Sequence, residues 1–378
     1  MTDPVPLAQA LIRCPSVTPA DAGALDVVQR ALEPLGFACT RLAFGPDDYR
    51  VDNLFARRGT EGPHFCYAGH TDVVPPGDAA AWSDDPFSGT VRDGLLFGRG
   101  ACDMKGGVAA FIAGLTDFLA ANPAHRGSIS LLITGDEEAR SVDGTAKVLE
   151  WMQAGGQIPD MALVGEPTSR RTLGDTVKIG RRGSLTAWVT VQGKQGHSAY
   201  PAAADNPVHR MVAALAPLLA APLDQGSAHF PPSTLQVTGL DVGNRTSNVI
   251  PATASAMLNI RFNDHHSSAA LTERLHAAFR AAGARYDMRT ECSGESFLTE
   301  PGPFVDGLRR AILRATGVEP ALDTGGGTSD ARFIARYCPV AEFGAIGDTA
   351  HQVDERTSVE GLRRLAGAYR AILEEFLA

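Results

Sequence analysis

The sequence predicts an α/β protein with a mainly parallel sheet, into which a second, α+β domain is inserted. Two observations support this prediction. Short apolar segments typical of buried strands alternate with segments whose apolar residues recur at helical spacing, which is the order of a parallel α/β sheet. From about residue 182 to residue 294 the pattern changes to strands in which apolar and polar residues alternate, which indicates a sheet with one open face.

Four short apolar segments are expected to form the strands of the parallel sheet, at 64–68, 128–134, 161–164 and 340–345. Helical spacing of apolar residues predicts helices over 7–12, 22–35, 108–119 and 359–377. The helix over 108–119, for example, places Val108, Ile112 and Leu115 on one face. These elements assign residues 1–181 and 295–378 to one α/β domain.

The inserted segment has the order β-α-β-β-α-β, which defines a ferredoxin-like unit. Its strands are expected over 185–191, 234–240, 254–262 and 285–291, and its helices over 206–220 and 268–281. One open sheet face is available to a partner. We therefore predict an inserted ferredoxin-like α+β dimerisation domain over 182–294.

Composition excludes several classes of partner. The 378 residues carry a formal net charge of -9, and an acidic chain gains nothing from counterion release on nucleic acid. No apolar stretch is long enough to span a membrane, and the N-terminal segment lacks the order of a signal peptide. Six cysteines without a CxxC pair are expected to be free thiols. Composition predicts a cytoplasmic globular protein with no nucleic-acid or membrane partner. The expectation of an enzyme with a small-molecule substrate comes from the motifs at 69–75, 98–106, 136–138 and 165–168 and not from composition.

Acidic and histidine side chains follow the predicted strands where each strand ends. Because the carboxyl ends of neighbouring parallel strands meet at one edge of a sheet, we expect these side chains to converge. One further carboxylate, Asp103, precedes the helix over 108–119, where it could also act as a cap. The whole set, in chain order, is His70, Asp72, Asp103, Glu137, Glu138, Glu166 and His351.

These residue types suit a metal centre. Histidine nitrogen with carboxylate oxygen, without cysteine, is typical of catalytic Zn, Mn or Co sites. Five strong donors exceed the three protein ligands of one catalytic zinc and suit two metals that share a carboxylate. Asp72 is close enough in sequence to accept the second N–H of His70. In the pair Glu137-Glu138, one residue can bind metal while the other stays available as a general base.

Four motifs carry a resemblance to a known family: GHTDVVP at 69–75, GRGACDMKG at 98–106, DEE at 136–138 and GEPT at 165–168. In this order and spacing they resemble the metallo-aminoacylase and carboxypeptidase family with two zincs, and the resemblance covers essentially the whole chain. It implies a two-zinc exopeptidase-like catalytic domain that hydrolyses amides. The implied cofactors are two Zn²⁺ per subunit, for which Co²⁺ can substitute.

Three further motifs are similar to one branch of that family, whose substrates carry several carboxylates. They are PPGD at 75–78, KIGRRGS at 178–184 and GGGTSD at 325–330. The chain departs from that branch at Ala331, where its members often have glycine.

The resemblance implies a role for each metal-site residue. Asp103 would bridge the two zincs. His70 and Glu166 would complete one site, and Glu138 and His351 the other.

Three further residues take catalytic roles by the same resemblance. Glu137 would be the general acid/base, and Asp72 would orient His70. His197 would reach the active site of the partner subunit and stabilise the oxyanion there, which implies a homodimer. The alternative for His197 is an ordinary loop histidine.

Substrate binding is implied for Arg181 and Arg261, since the planar guanidinium binds carboxylates with two parallel hydrogen bonds. Arg182 stays an alternative to Arg181, and the strand residue Arg261 could instead form a surface ion pair. Further hydrogen bonds would come from Asn248 and from the backbone of Gly327 and Thr328.

Two other functions remain open at this point. One is a different amidohydrolase of the same family, such as a deacetylase, aminoacylase or dipeptidase. The other is a catalytically silent binding protein that kept the fold, which predicts that ligands would have been lost. All five ligands and Glu137 are present.

Overall fold

A computed structural model describes residues 1–378 as two compact units. Unit 1 comprises Met1–Ile179, Thr299–Asp323 and Ser329–Ala378, and unit 2 comprises Gly180–Leu298 and Thr324–Thr328. The main boundaries lie two and four residues from those expected at 181/182 and 294/295. The segment Thr324–Thr328, which the sequence assigned to the first domain, belongs to unit 2. The catalytic and dimerisation roles of the two domains stay predictions.

Nine helices are present, and none is both long and apolar enough to cross a membrane. They are α1 (Val5–Ile12), α2 (Ala24–Leu32), α3 (Lys105–Ala121), α4 (Thr145–Ala154), α5 (Pro207–Leu219), α6 (Ser268–Ala281), α7 (Pro303–Thr316), α8 (Ala331–Ile334) and α9 (Val359–Leu377).

Nineteen strands accompany the helices. They are β1 (Ala38–Phe44), β2 (Val51–Arg58), β3 (His64–His70), β4 (Val91–Arg92), β5 (Leu95–Phe97), β6 (Ser128–Thr134), β7 (Met161–Val164), β8 (Thr176–Lys178), β9 (Gly180–Arg181), β10 (Gly183–Gln192), β11 (Gly196–His197), β12 (Thr234–Asp241), β13 (Val249–Ile250), β14 (Thr253–Phe262), β15 (Arg285–Gly294), β16 (Phe297–Leu298), β17 (Ala321–Asp323), β18 (Val340–Glu342) and β19 (Arg356–Ser358).

Unit 1 is built on an eight-stranded sheet with the order β1-β2-β6-β3-β7-β18-β8-β17. Its four central strands, β6, β3, β7 and β18, are parallel, and they are the four strands that the sequence predicted. The antiparallel pair β1 and β2 extends one end, and β8 runs antiparallel to β18 at the other. The predicted α/β class with a mainly parallel sheet is therefore confirmed.

The central strands are apolar throughout because they are covered on both faces. Every residue of β3 and β6 is buried, without the alternation of a strand that faces water. In this core the ring of Tyr67 stacks on Phe111 of α3 at 3.9 Å between centroids, and Tyr369 of α9 meets Tyr67 edge-on at 5.7 Å.

The strand register brings the ends of β3, β6 and β7 together. His70 pairs with Thr134, and Ala68 pairs with Val164. The segments that follow these strands therefore begin at one edge of the sheet, which is where an open α/β sheet forms its sites.

Unit 2 contains a four-stranded antiparallel sheet with the order β12-β14-β10-β15. With α5 after β10 and α6 after β14, this is the ferredoxin-like arrangement, as predicted. Alternate residues of β10, among them Leu185, Val189 and Val191, form a core with Met211 of α5 and Phe279 of α6. The intervening residues of β10 are only half-buried, so the opposite face of this sheet is more open.

Candidate active site

His70 is the last residue of β3, and only one of its two ring nitrogens has a hydrogen-bond partner. Nδ1 lies 2.9 Å from the carbonyl oxygen of Asp72, to which it can donate. In the neutral imidazole that bond leaves Nε2 with its lone pair, which is the form that binds metals. Nε2 is buried and makes no hydrogen bond, although it lies 3.3 Å from Oδ1 of Asp103 and 3.9 Å from Oε1 of Glu166.

Asp103 lies between two histidines. Its Oδ1 faces His70, and its Oδ2 lies 3.3 Å from Nε2 of His351. The same His351 nitrogen lies 3.0 Å from Oε1 of Glu138. Burial alone would raise the pKa of Asp103, but its close contacts with His351 and His70 bring this pKa well below its usual range. Asp103 thus has the central position expected of a shared ligand.

The pKa values of both histidines follow from this arrangement. Asp103, and after it Glu138, raise the pKa of His351 to about 10. Burial would lower the pKa of His70, but its contact with Asp103 and the charges of Asp72 and Glu166 raise it well above the usual range. Both imidazoles are therefore surrounded by negative charge that a cation would balance.

The donors form two overlapping groups that could hold metal ions. Donor atoms of His70, Asp103 and Glu138 lie within 4.8 Å of one another, and so do those of His70, Glu137 and Glu166. Carboxylates buried this closely repel one another, and divalent cations relieve that repulsion. Burial, and then the charge of Glu166, raises the pKa of Glu137 well above its usual range. The nitrogen and oxygen donors fit a pair of divalent metals.

Asp72 makes its contacts differently from the sequence-based expectation. Its carboxylate was expected to accept the His70 N–H, but Oδ1 is 3.6 Å from Nδ1 and the backbone carbonyl takes that place. The carboxylate instead accepts from the backbone N–H of Glu137 at 3.3 Å and of Glu138 at 3.0 Å. Thr18 donates to it as well, at 2.7 Å. Asp72 therefore connects His70 to the Glu137-Glu138 segment.

Sequence reasoning missed two buried charged residues beside the ligands, Arg99 and Glu355. They form an ion pair of 2.7 Å between loops that are far apart in the chain. Arg99 lies inside the GRGACDMKG motif, and this is the one signal that could have singled it out. Nothing in the sequence around Glu355 marks it.

The predicted substrate residues lie in unit 2. Arg181 donates from Nη1 to the carbonyl of Gly327 at 3.2 Å, so the structure brings these two together, and the neighbouring Thr328 is half-buried. Arg261 is half-buried on β14, with Nε 3.2 Å from Oδ1 of Asn259. Burial, and then the charge of Arg182, lowers the pKa of Arg261.

His197 and Asn248 are close to each other in a second part of unit 2. β11 pairs with β13, and the backbone N–H of Ser198 donates to the carbonyl of Asn248 at 2.9 Å. Nδ1 of His197 accepts from the backbone N–H of Ala199 at 3.0 Å. Both His197 and Asn248 are exposed, so their side chains are accessible to a ligand.

The chain is similar to known proteins over nearly its whole length. Residues 66–375 match Peptidase family M20/M25/M40. The succinyl-diaminopimelate desuccinylase of Rhodospirillum centenum is 57% identical over 377 residues, which cover 100% of this chain and 98% of the relative. The protein of the same name from Gluconacetobacter diazotrophicus is 55% identical over 376 residues, covering 100% of this chain and 97% of the relative.

Solved structures agree on the fold. An M20 family metallo-carboxypeptidase from Sulfolobus solfataricus matches with a TM-score of 0.76 at 16% identity, over 99% of each chain. A dinuclear metal binding peptidase of the same family from Bacillus subtilis matches with a TM-score of 0.70 at 15% identity, over 98% of this chain and 97% of that chain. With both the sequence motifs and the matched residues in agreement, the chain belongs to peptidase family M20/M25/M40.

Proposed function

We propose that this chain is a metal-dependent amide hydrolase that converts N-succinyl-LL-2,6-diaminopimelate into succinate and LL-2,6-diaminopimelate, a step of lysine biosynthesis. One observation carries the proposal: Asp103 lies between His70 and His351, with Glu138 and Glu166 beside them, in a chain that aligns over its full length with desuccinylases. The free cysteines support a cytoplasmic location.

The five ligands would hold two Zn²⁺, or Co²⁺ in their place. Asp103 would be shared, His70 and Glu166 would hold one ion, and Glu138 and His351 the other. Two bound divalent cations supply Lewis acidity toward the scissile carbonyl and make water acidic enough to react near neutral pH. The unused, buried Nε2 of His70 supports this assignment, since a ligand nitrogen needs its lone pair.

The surroundings of Glu137 support its assignment as the general acid/base. Its carboxylate lies beside His70 and Glu166, and its pKa is raised chiefly by burial. A carboxylate of raised pKa takes a proton from attacking water more readily and can pass it to the leaving amine. Asp72 holds the backbone of Glu137 and Glu138 in place for this transfer.

The substrate carries several carboxylates, which arginines are suited to bind. We assign this role to Arg181 and Arg261, with Asn248 and the Gly327-Thr328 backbone as hydrogen-bonding partners. Arg182 stays an alternative to Arg181 because its buried Nε has no hydrogen-bond partner. His197 would stabilise the oxyanion in the active site of a second subunit.

A homodimer through unit 2 is part of this proposal. β12 is an end strand of the four-stranded sheet, so one of its edges is open for pairing. Three large apolar side chains are exposed nearby, namely Val212 and Leu219 on α5 and Leu240 on β12, with 57%, 52% and 59% of their surface accessible. Such a surface suits a second copy of the chain. We propose no nucleic-acid or membrane partner.

The test is steady-state hydrolysis by protein loaded with Zn²⁺ or Co²⁺. Succinyl-diaminopimelate should be turned over well and N-acetylornithine poorly. Glu137→Gln should lose about 100- to 10,000-fold in kcat, the usual contribution of a general acid/base, while it retains both metals. Glu150→Gln, at an exposed carboxylate on α4, is the control and should behave like the wild type.

Other outcomes would identify the alternatives. Good turnover of N-acetylornithine without turnover of the succinylated substrate would indicate an acetylornithine deacetylase, and turnover of another acylated amino acid would indicate a different amidohydrolase. A protein that binds no metal and hydrolyses none of these compounds would be a silent binding protein, and the proposal would be wrong.

A further inference from the structure

Arg99 and Glu355 form a buried ion pair that belongs to no ligand set. Arg99 is 2% exposed and Glu355 is 0% exposed, and Nη1 lies 2.7 Å from Oε2. Removing two charges from water is costly, so a buried ion pair by itself is weak evidence of a contribution to stability. Its other contacts therefore indicate its role.

The second oxygen of Glu355 holds the segment that carries the shared ligand. Oε1 accepts from the backbone N–H of Cys102 at 3.1 Å and of Asp103 at 3.2 Å. Hydrogen bonds to a charged acceptor are stronger than those between neutral groups. The carboxylate thus restrains the backbone of Asp103, whose side chain must face both His70 and His351.

The guanidinium of Arg99 reaches two other loops. Nη1 lies 3.2 Å from the carbonyl oxygen of Gln352, and Nη2 lies 3.4 Å from the carbonyl oxygens of His351 and Pro75. A lysine could not make these contacts at once, because the guanidinium carries five N–H groups in a rigid plane. Arg99 therefore joins the loop that carries His351 to the segment that follows Asp72.

The loop that carries His351 has an unusual backbone conformation that neighbouring groups must hold in place. His351 has φ +63° and Asp354 has φ +56°, both in the left-handed region that residues other than glycine seldom adopt. Conformations of this kind persist only where the surroundings hold them. Ser83 donates two hydrogen bonds to the Asp354 carboxylate, at 2.8 and 2.7 Å, while Arg99 contacts the carbonyl of His351.

We propose that the Arg99–Glu355 pair is a positioning device for Asp103 and His351, and that it acts chiefly on the metal position that these two residues form with Glu138. The other position shares Asp103 but also has His70 and Glu166, which the pair does not contact. The inference rests on the two-metal site of the proposed function, but it concerns metal binding and not the identity of the substrate.

The experiment is a calorimetric titration of the metal-free protein with Zn²⁺. The titration is repeated with Co²⁺, and the absorption spectrum of the bound Co²⁺ is recorded. In Arg99→Lys and Glu355→Gln one of the two metal equivalents should lose about 10- to 100-fold in affinity, the usual effect of removing a group that orients a ligand. The other equivalent should change much less. The Co²⁺ spectrum of the altered site should change as well, which a general loss of stability would not produce.

Arg57→Lys is the matched control. Arg57 is a half-buried arginine of β2 whose guanidinium donates to Gln157 and Ser128. Ser128 is the first residue of β6, whereas His70 pairs with Thr134 at the other end of that strand. Both metal equivalents should bind to this variant as they do to the wild type.

Several results would overturn the inference. They are unchanged affinities in both variants, equal weakening of both equivalents, a wild-type protein that binds only one metal, and loss of folded protein in both variants with folding retained in Arg57→Lys. A wild type that binds two metals but hydrolyses no succinylated substrate would overturn the proposed substrate and leave this inference standing.

Discussion

At the scale of single residues, the surroundings of His64 determine how stability depends on pH. Its ring is buried at the start of β3, with Nε2 2.8 Å from the hydroxyl of Ser130. Burial, and then the positive charge of Arg57, lowers the pKa of His64 to about 4. The ordinary histidine value is near 6.5. The folded protein therefore keeps this ring neutral at pH values where the unfolded chain is already protonated.

This difference predicts a loss of stability in acid. Between pH 6.5 and 4 the unfolded state binds the extra proton, so the free energy of unfolding falls as the pH falls. At pH 5 the contribution of His64 to this loss is about 2 kcal/mol relative to pH 7.5. His64→Gln, which cannot titrate, should gain that amount relative to the wild type over this interval.

Urea unfolding of the metal-free proteins at the two pH values measures the effect. His265→Gln, at an exposed histidine, is the control and should follow the wild type. A stability difference between wild type and His64→Gln that does not change with pH would contradict the prediction.

The residues of the site show what the sequence can predict at this scale. The seven metal-site residues follow strand ends or stand in motifs, so their convergence could be expected from sequence alone. The atom of Asp72 that contacts His70 could not be predicted, because it depends on side-chain torsions and on a hydrogen bond from Thr18, a residue distant in sequence. The Arg99–Glu355 pair was missed for the same reason: its partners are 256 residues apart.

At the scale of elements, α3 and α9 pack closely because one glycine has no side chain. A Cβ at Gly114 would lie 2.4 Å from the carbonyl oxygen of Ala366 and 3.0 Å from the backbone nitrogen of Arg370. Gly114→Ala should therefore force the helices apart and cost about 1–3 kcal/mol of stability, the usual cost of overpacking.

Gly367→Ala is the matched control within the same pair of helices. Nothing lies within 4 Å of a Cβ at Gly367, so its alanine should add about 0.5–1 kcal/mol through helix propensity alone. Urea unfolding should show a lower free energy of unfolding for Gly114→Ala and a higher one for Gly367→Ala. If Gly114→Ala were as stable as Gly367→Ala, close packing would not be the reason for the glycine.

Elements with a strong periodic pattern were predicted best. The expected ranges of β6, β7, α6 and α9 agree with the structure, and the ferredoxin-like order of unit 2 is confirmed. The antiparallel pair β1 and β2 was not predicted. Five of the eight residues of β2 are buried, four of them in a row, so the strand does not alternate and only its pairing with β1 and β6 identifies it.

At the scale of the whole molecule, the two main boundaries between the units lie within four residues of those expected, but the chain returns to unit 2 over Thr324–Thr328. Long-range hydrogen bonds explain that return. Thr324 donates to the carbonyl of His229 at 2.6 Å, and Arg181 donates to Gly327 at 3.2 Å. Contacts between segments this far apart leave no periodic signal in the sequence.

The proposed dimer gives the last prediction. Val212 and Leu219 are seven residues apart on α5, so they lie on one face of the helix, and Leu219 lines a surface groove together with Leu235 of β12. An exposed apolar surface continuous with an open strand edge is what an isologous interface would bury. Leu219→Glu places a charge there and should shift the protein from dimer to monomer.

Sedimentation velocity at assay concentration checks this result against the chain mass of 39.8 kDa. Leu313→Glu is the control, since Leu313 is similarly exposed on α7 of unit 1 and should leave the dimer intact. Because His197 would complete the site of the other subunit, the Leu219→Glu monomer should also lose kcat while both metals stay bound. A wild type that sediments at the mass of one chain, or a fully active Leu219→Glu monomer, would show that each chain works alone and that His197 does not act across subunits.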